Sequence, residues 1–394
     1  MSFYTLPYWR LSSVYLFYFA SLGVLMPYLG LYMKSLGFLP MQIGIAFAVL
    51  QGTKIVAPNI WGWIVDIKRN RLGMIRLAAF ISFFSFTLIF LQNNFYYFVV
   101  IIFIFGFFWN AMLPQVEALT FSLMGAETRI YGRIRLWGSL GFVATVIISG
   151  LVIDNVGLYC WPFIVLVCLL FIVVSCLFIF DRKSKETKRQ ISFMTAVRKK
   201  SVVAFFTMVF LMEASHGPYY SFFSIFLNEN HYNTTEVGLL WSLGVVAEII
   251  LFLLMHVILK FVSLRTLLLT SIALTFVRWL LIGWFIDELI ILVIAQLLHA
   301  ASFGAFHVVS IHLIHQYFKG GHQGRGQALY ASVGFGAGGM LGSLMAGLLW
   351  ESISARGVFF IASILSIIAF FVALNWVTTK GDANSVSTTK KITV

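Results

Sequence analysis

The sequence predicts an all-α membrane protein in which twelve transmembrane helices form two pseudo-symmetric six-helix bundles. Of its 394 residues, 60% are hydrophobic and 10% are charged, whereas a soluble domain typically carries about 25% charged residues. Apolar runs of about 20 residues, long enough to cross roughly 30 Å of hydrocarbon, recur along the whole chain. One long basic connector separates the first half of these runs from the second.

The predicted spans follow one another with short turns between them. They cover 8–34, 41–65, 72–92, 95–124, 131–154, 158–180, 201–228, 234–259, 264–285, 289–317, 323–350 and 355–378. We therefore expect an N-terminal bundle over 1–180, a cytoplasmic linker over 181–200, a C-terminal bundle over 201–378 and a cytoplasmic tail over 379–394.

The basic residues that give the net charge of +13 are concentrated on one side of the predicted membrane topology. With both termini inside, nearly all lysines and arginines fall on inner turns or on the connector, and only Lys34 and Arg356 are left for outer loops. This positive-inside bias predicts a multi-pass protein of the cell membrane, of the bacterial inner-membrane type, with cytoplasmic termini. It also accounts for the basic composition without a nucleic-acid partner.

The two halves of the chain resemble each other when one is shifted by 194 positions. In that register Arg71 meets Arg265, and Lys54 of the second span lies opposite Glu248 of the eighth. Parallel repeats of this kind build two-lobed transporters, with a site near mid-membrane between the lobes. The alternative is a chance alignment of two apolar sequences.

The turn between the second and third spans has the sequence Gly-Trp-Ile-Val-Asp-Ile-Lys-Arg-Asn-Arg over 62–71. It resembles the loop motif of the major facilitator superfamily, in which a glycine packs closely and an aspartate and basic residues lock the cytoplasmic face. The resemblance implies a gating role for Asp66, Arg69 and Arg71. Topology alone would also explain the basic residues.

Five charged residues fall inside apolar spans, where a charge costs roughly 3 kcal/mol on insertion scales. They are Lys54, Glu117, Arg135, Glu248 and Arg278. Such residues usually face a water-filled cavity and mark a substrate or ion path. Glu117 and Arg135 flank a short turn, so the antiparallel hairpin places them at similar depth, either as a binding pair or as a purely structural one.

Several segments resemble the oligosaccharide/proton symporter family that includes lactose permease. Val116-Glu117-Ala118 and the Arg135 segment resemble its sugar-contacting residues, while Trp241 to Glu248, Val277-Arg278-Trp279 and Tyr219-Tyr220 are similar to its phenylpropionate permease branch. The resemblance implies substrate contacts for Lys54, Glu117, Arg135 and Arg278, and a coupling role for His299.

One departure leaves the proton-carrying group open. Lactose permease has a carboxylate three residues after its tenth-helix histidine, where this chain has Ser302. The candidates are Glu248, whose burial would favour its neutral form, and the histidines, including His299. Glu213 and His216, three residues apart on one helical face, form a second candidate couple.

The histidines of the tenth span do not suggest a metal site, because at 100° per residue His299 and His307 lie about 80° apart. Aromatic residues flank the charged positions, where a ring can stack on a sugar or on an aromatic acid. These are Trp137, Trp241, Tyr219 and Tyr220. Interfacial anchoring or packing is the alternative for each of them.

Together these observations predict a proton-coupled symporter, not an enzyme, that takes up a small organic solute. Three cations against two carboxylates favour an anionic substrate such as an aromatic carboxylate. A sugar or a nucleoside is the alternative cargo, and a non-transporting membrane sensor is a remote one. We expect a monomer whose partners are its substrate, protons and membrane lipids, with no cofactor, metal or nucleic acid.

Overall fold

The computed structural model describes residues 6–91, 93–124, 128–180, 196–319 and 322–379. Every regular element in these ranges is helical. Most of the predicted connector and nearly all of the predicted tail lie outside the described residues. The all-helical class is as predicted, because a membrane-spanning backbone must satisfy its own polar groups and a helix does so within one segment.

Six helices cover the first half of the chain. They are α1 (Leu6–Ser35), α2 (Pro40–Lys68), α3 (Arg71–Thr87), α4 (Phe95–Met124), α5 (Thr128–Val156) and α6 (Trp161–Leu177). Short 3-10 turns, Leu88–Phe90 and Leu158–Cys160, extend α3 and precede α6. These bounds match the predicted spans to within a few residues.

Among the described residues, the second half contains seven helices and two π-helical segments. The helices are α7 (Lys200–Glu229), α8 (Thr234–Phe261), α9 (Leu264–Trp284), α10 (Leu289–Leu297), α11 (Phe306–Tyr317), α12 (Gln323–Ala331) and α13 (Gly339–Trp376). Segment Ala300–Ala305 joins α10 to α11, and Ser332–Gly338 joins α12 to α13. Such π turns are rare and are frequent at functional sites.

Among the described residues, 10 helical stretches are long and apolar enough to cross a membrane. The longest, Gln323–Trp376, has 54 residues and is interrupted at Ser354, whose φ of 67° is not helical. Helix α7 also has spanning length, 30 residues, with Glu213 and His216 near its middle. Counting the two parts of the interrupted stretch and α7, the described helices agree with twelve crossings.

The helices pack into two compact units. The first comprises Met1–Thr187, Gly217–Ser242 and Met340–Ser352, and the second comprises Lys188–His216, Leu243–Gly339 and Ile353–Val394. The boundaries fall within α7, α8 and α13 as well as in the connector. The two-bundle division of the sequence therefore stays a prediction.

In the first unit, α1 packs against α5 and α6, and α4 packs against α2 and α3. Glycines allow the close approach of α1 to α5, since a Cβ atom at Gly141 would overlap the Leu16 carbonyl oxygen. Arg76 of α3 ties down the end of α6 by donating to the carbonyl oxygens of Cys176, Leu177 and Ile179. A cation at a helix C-terminus is favoured by the helix dipole.

The second unit contains an equivalent anchor. Arg265 of α9 donates to the carbonyl oxygens of Leu374 and Val377 at the end of α13. The 194-residue shift paired Arg265 with Arg71, but in the structure Arg76 has the corresponding role. Sequence register and structural equivalence therefore differ by five positions here.

Candidate functional site

Glu117 of α4 and Arg135 of α5 are brought together in the first unit, with Tyr131 between them. The Tyr131 hydroxyl donates to Glu117 Oε1 over 3.3 Å. Arg135 is close enough to act electrostatically on the Glu117 carboxylate. Both charged side chains are half-buried, so the α4–α5 hairpin concentrates opposite charges inside an apolar unit.

The Arg135 guanidinium lies over an aromatic ring of α1. Its Cζ atom is 3.9 Å from the centre of the Phe19 ring. A cation over a ring gains about 0.5–1 kcal/mol at an exposed site and more where the pair is desolvated, and both side chains here are half-buried. Because one face of the guanidinium is covered, its N–H edge is left in a defined orientation for hydrogen bonding.

Sequence reasoning missed the α1 residues at this site. Tyr15 and Tyr18 belong to the same helix as Phe19: the Tyr15 and Thr120 hydroxyls are 3.4 Å apart, and the Tyr18 ring stacks on Trp109 with centroids 4.9 Å apart. Positions 15, 18 and 19 follow the three- and four-residue spacing of one helix face. That aromatic face was the available signal, but in a chain with 17% aromatic residues it does not stand out.

Lys54 is half-buried on α2 in the first unit. Its neighbour Thr53 accepts a hydrogen bond of 2.8 Å from the Asn110 side chain, which also donates to the Leu50 carbonyl oxygen over 3.1 Å. Polar groups from α2 and α4 therefore interact at the level of Lys54. Glu248 belongs to the other unit, and the predicted Lys54–Glu248 relationship stays a prediction.

The structure separates the predicted aromatic contacts into two groups. Trp137 donates to the Tyr8 hydroxyl over 3.1 Å and lines a cavity of about 500 Å³. That cavity is also bordered by Leu136 and Leu140, which are 40% and 47% exposed. Apolar side chains this exposed on a membrane helix are typical of a lipid-facing surface, so Trp137 borders a peripheral groove.

The other aromatic group is on α7 and α8. Trp241 lies 4.6 Å from Tyr219 between ring centres and donates to the Ser224 hydroxyl over 3.0 Å. Trp241 and Tyr219 are 5% and 1% exposed, so they pack within the unit. Tyr220 is half-buried and is the most accessible of the three.

In the second unit, Glu248 of α8 meets His299, the residue that precedes the first π-helical segment. Glu248 Oε2 is 3.5 Å from His299 Nε2, and the side chains are 16% and 8% exposed. Two glycines leave room for the pair, since a Cβ atom would lie 3.3 Å from His299 Cβ at Gly244 and 3.2 Å from Glu248 Cγ at Gly304.

The π-helical segment changes the arrangement of the histidines. The rings of His299, Phe303 and His307 form one parallel stack, with centroid spacings of 5.3 Å and 6.1 Å. At a uniform α-helical pitch His299 and His307 would lie about 80° apart. The wider π turn brings them onto one face, and His307 Nδ1 lies 3.1 Å from the Tyr330 hydroxyl.

Arg278 is fully buried in the second unit. It donates to the Ala295 carbonyl oxygen over 3.0 Å, to Ser302 Oγ over 3.2 Å and to Gln296 Oε1 over 3.4 Å. Ser302 stands where lactose permease has a carboxylate, so at this position Arg278 meets a neutral hydroxyl acceptor. These contacts hold the Arg278 side chain inside the unit, and its guanidinium is not exposed to solvent.

Glu213 and His216 are buried in α7, at 2% and 1% exposure. Glu213 packs on the second π-helical segment, where a Cβ atom at Gly334 would lie 3.2 Å from Glu213 Cγ. His216 Nδ1 is 2.8 Å from the Met212 carbonyl oxygen, and its ring meets Trp279 edge to face. The two side chains therefore have different surroundings.

The predicted gating residues lie around the α2–α3 turn. Asp66 and Arg69 are exposed, and Arg71 is half-buried. Arg69 ends α2 in a left-handed conformation, φ 50°, with its N–H donating to the Val65 carbonyl oxygen over 2.8 Å. Their gating role stays a prediction.

A family model described as the MFS_1 like family matches residues 8–361. A protein of Escherichia coli (strain K12) named a probable 3-phenylpropionic acid transporter is 26% identical over 378 residues, covering 92% of this chain and 96% of its own length.

Two further proteins are similar over most of the chain. The uncharacterized transporter YwbF of Bacillus subtilis (strain 168) is 23% identical over 372 residues, covering 93% of this chain and 92% of its own. A crystal structure of a mutant of the nucleoside transporter NupG has a TM-score of 0.83 and 16% identity, covering 95% of this chain and 100% of its own. The structural likeness shows a shared fold.

Proposed function

The chain belongs to the MFS_1 like family and is a membrane transporter of the major facilitator type, and from this premise we propose that it takes up a small aromatic carboxylate together with protons. Its two sequence halves, 1–180 and 201–378, would alternately open the site to either side. The proposed orientation has both termini in the cytoplasm, at a bacterial inner membrane.

The observation that carries the substrate assignment is the Arg135 guanidinium held 3.9 Å from the Phe19 ring centre. Its remaining N–H groups form a planar fork suited to a carboxylate. Tyr15 and Tyr18 are on the same face of α1 as Phe19, so aromatic rings neighbour the charge. The Escherichia coli relative is named a probable 3-phenylpropionic acid transporter, which supports the same class of substrate.

We assign proton coupling to Glu248 with His299. In the empty transporter the ionised Glu248 pairs with a basic neighbour, for which His299 is in place. Protonation of Glu248 removes its charge and releases its basic neighbours to attract the anionic substrate. Loss of the proton on the inner side restores the ion pair and expels the substrate, so substrate and proton move together.

Proteoliposome uptake tests this proposal. With 3-phenylpropionate as the probe, an imposed inward proton gradient should drive accumulation, and Arg135→Gln should abolish binding that aromatic acids compete for. Arg133→Gln is the matched control, since Arg133 is an exposed residue of the same helix. Uptake that ignores the gradient would exclude coupling, and equal loss in both variants would exclude a specific role for Arg135.

A neutral sugar or nucleoside is the second candidate, favoured by the position of Glu117. A carboxylate that accepts from Tyr131 beside Arg135 offers an acceptor and a donor fork together, which fits vicinal hydroxyls. Competition separates the two substrates. Displacement of the bound probe by nucleosides or sugars, and not by aromatic acids, would establish this alternative.

A further inference from the structure

Asp154, at the end of α5, binds the first turn of α8. Its Oδ1 accepts from the Thr234 N–H over 2.8 Å and from the Thr234 hydroxyl, and its Oδ2 accepts from the Thr235 N–H over 2.9 Å and from the Thr235 hydroxyl. All of these residues belong to the first unit. One carboxylate thus collects four donors from another helix.

The chemistry of this contact is that of a helix N-terminus. The first N–H groups of a helix have no partner within it, and the helix dipole favours a negative charge there. The loop before α8 also forms a capping box at this N-terminus. The Asn233 N–H donates to Glu236 Oε2 over 2.8 Å, and the Glu236 N–H donates to Asn233 Oδ1 over 2.9 Å. Helix α8 is therefore capped by its own loop and, separately, by α5.

Backbones approach closely around Asp154. A Cβ atom at Gly150 would lie 2.5 Å from the Thr234 carbonyl oxygen, and one at Gly238 would lie 2.7 Å from the Val146 carbonyl oxygen. The Tyr28 hydroxyl donates to the same Val146 oxygen over 2.6 Å. The α5 and α8 backbones therefore approach closely here, while the Asp154 side chain itself is exposed.

Other contacts of the first unit lie at the same helix ends, opposite the basic turns. A Cβ atom at Gly44 of α2 would lie 2.7 Å from Gly347 Cα, and one at Gly30 of α1 would lie 2.9 Å from the Ser221 carbonyl oxygen. Lys34 and Glu229 form an ion pair of 2.8 Å, but both are about two-fifths exposed and such pairs contribute little.

We propose that Asp154 is a gating residue that holds these helix ends closed while the opposite end of the transporter is open. The assignment rests on the proposed transport function. Water can accept a hydrogen bond from each of these N–H and hydroxyl donors when the helices separate, so the contact can break and re-form in each cycle. The charge of Asp154 favours the closed state because only there does it meet the α8 N-terminus.

Reactivity of a buried reporter tests this without measuring transport. Ser221 is 4% exposed and lies beside Gly30, so Ser221→Cys, in protein whose native Cys160, Cys168 and Cys176 are changed to serine, reports opening to an impermeant maleimide. We expect Asp154→Asn to raise the labelling rate about fivefold or more, because the closed population falls. Thr235→Val removes one hydroxyl donor but keeps the Asp154 charge and the α8 dipole, so it should raise the labelling rate less.

The matched control is Glu236→Gln, which removes an acid from the same helix terminus but not from the α5 contact. Its labelling rate should stay within about twofold of the parent. An unchanged rate in Asp154→Asn, or an equal rise in Glu236→Gln, would overturn the assignment. If Asp154→Asn does not fold, Thr235→Val alone decides in the same way. If Asp154→Asn raises the labelling rate in a protein that shows no proton-driven uptake of 3-phenylpropionate, the proposed function is refuted but the gating assignment stands.

Discussion

Glu248 and His299 form a nearly enclosed acid–base pair in the second unit, with Glu248 Oε2 3.5 Å from His299 Nε2. Glycines on both sides, Gly244 and Gly304, make the space for it. A carboxyl group and an imidazole are the side chains best suited to exchange a proton near neutral pH once their surroundings are adjusted. The pair is therefore the natural first target for experiments on coupling.

Glu248→Gln should abolish proton-driven accumulation and spare exchange. The amide cannot release a proton, so net symport stops, whereas substrate exchange across the membrane needs no net proton movement. Accumulation under an imposed gradient and counterflow in the same proteoliposomes measure the two. Glu229→Gln, an exposed carboxylate of α7, is the control, and accumulation by Glu248→Gln at the control's level would contradict the assignment.

His299→Phe should reduce proton-driven accumulation by about tenfold or more, because a hydrogen bond to a charged group contributes about 1.5–3 kcal/mol. The substitution keeps a ring of similar size against Phe303, so stacking is preserved. His312→Phe is the matched control, since His312 is exposed on α11 and its Nδ1 lies 2.9 Å from the Val308 carbonyl oxygen. Similar losses in both variants would indicate a general effect.

Arg135→Lys should weaken binding of an aromatic carboxylate by about tenfold, because lysine keeps the charge but loses the planar fork. Phe19→Leu should cost less, about 0.5–1 kcal/mol, the range of an exposed cation–π contact. Calorimetric titration of both single variants and the double variant gives their coupling energy. Strict additivity would mean that Phe19 does not orient Arg135 for binding.

Gly141→Ala should destabilise the protein, by about 1–3 kcal/mol. The added methyl group would overlap the Leu16 carbonyl oxygen, which is backbone and cannot rotate away. Gly132→Ala is the control on the same helix, because no atom lies within 4 Å of the added carbon. Thermal unfolding in detergent should separate the two, and equal melting temperatures would show that α1 and α5 can move apart freely.

Arg76→Met and Arg265→Met should each lower the melting temperature. Each substitution leaves the carbonyl oxygens at the end of α6 or of α13 without their charged donor. Lys68→Met, at an exposed position of α2, serves as the control. A melting temperature unaffected in either arginine variant would mean that water replaces that anchor without cost.

The sequence predicted the helices well and the pairing of side chains only in part. Apolar length fixes where a chain crosses a membrane, so the bounds of α1 to α9 followed from composition. The short α4–α5 turn was enough to bring Glu117 towards Arg135. The Tyr131 hydroxyl between them and the Phe19 ring beneath Arg135 depend on rotamers and on the packing of α1, which hydropathy does not encode.

Other features were decided by packing alone. The parallel stack of His299, Phe303 and His307 requires a π turn, and a 100° helical repeat assigns these residues to different faces. Asp154 stands at the end of α5, but its four donors come from a helix that begins 80 residues later. No local pattern signals such a partner.

The amino-acid sequence by itself determined the helical class, the position of most spans, the family and the charged positions inside the apolar runs. Each follows from transfer free energies that depend on residue type and on short stretches of chain. The tertiary structure decided which of those charges are covered, as for Arg278, and which meet across helices, as for Glu248 with His299 and Asp154 with α8. Contacts between distant segments depend on angles and distances that only the packed chain defines.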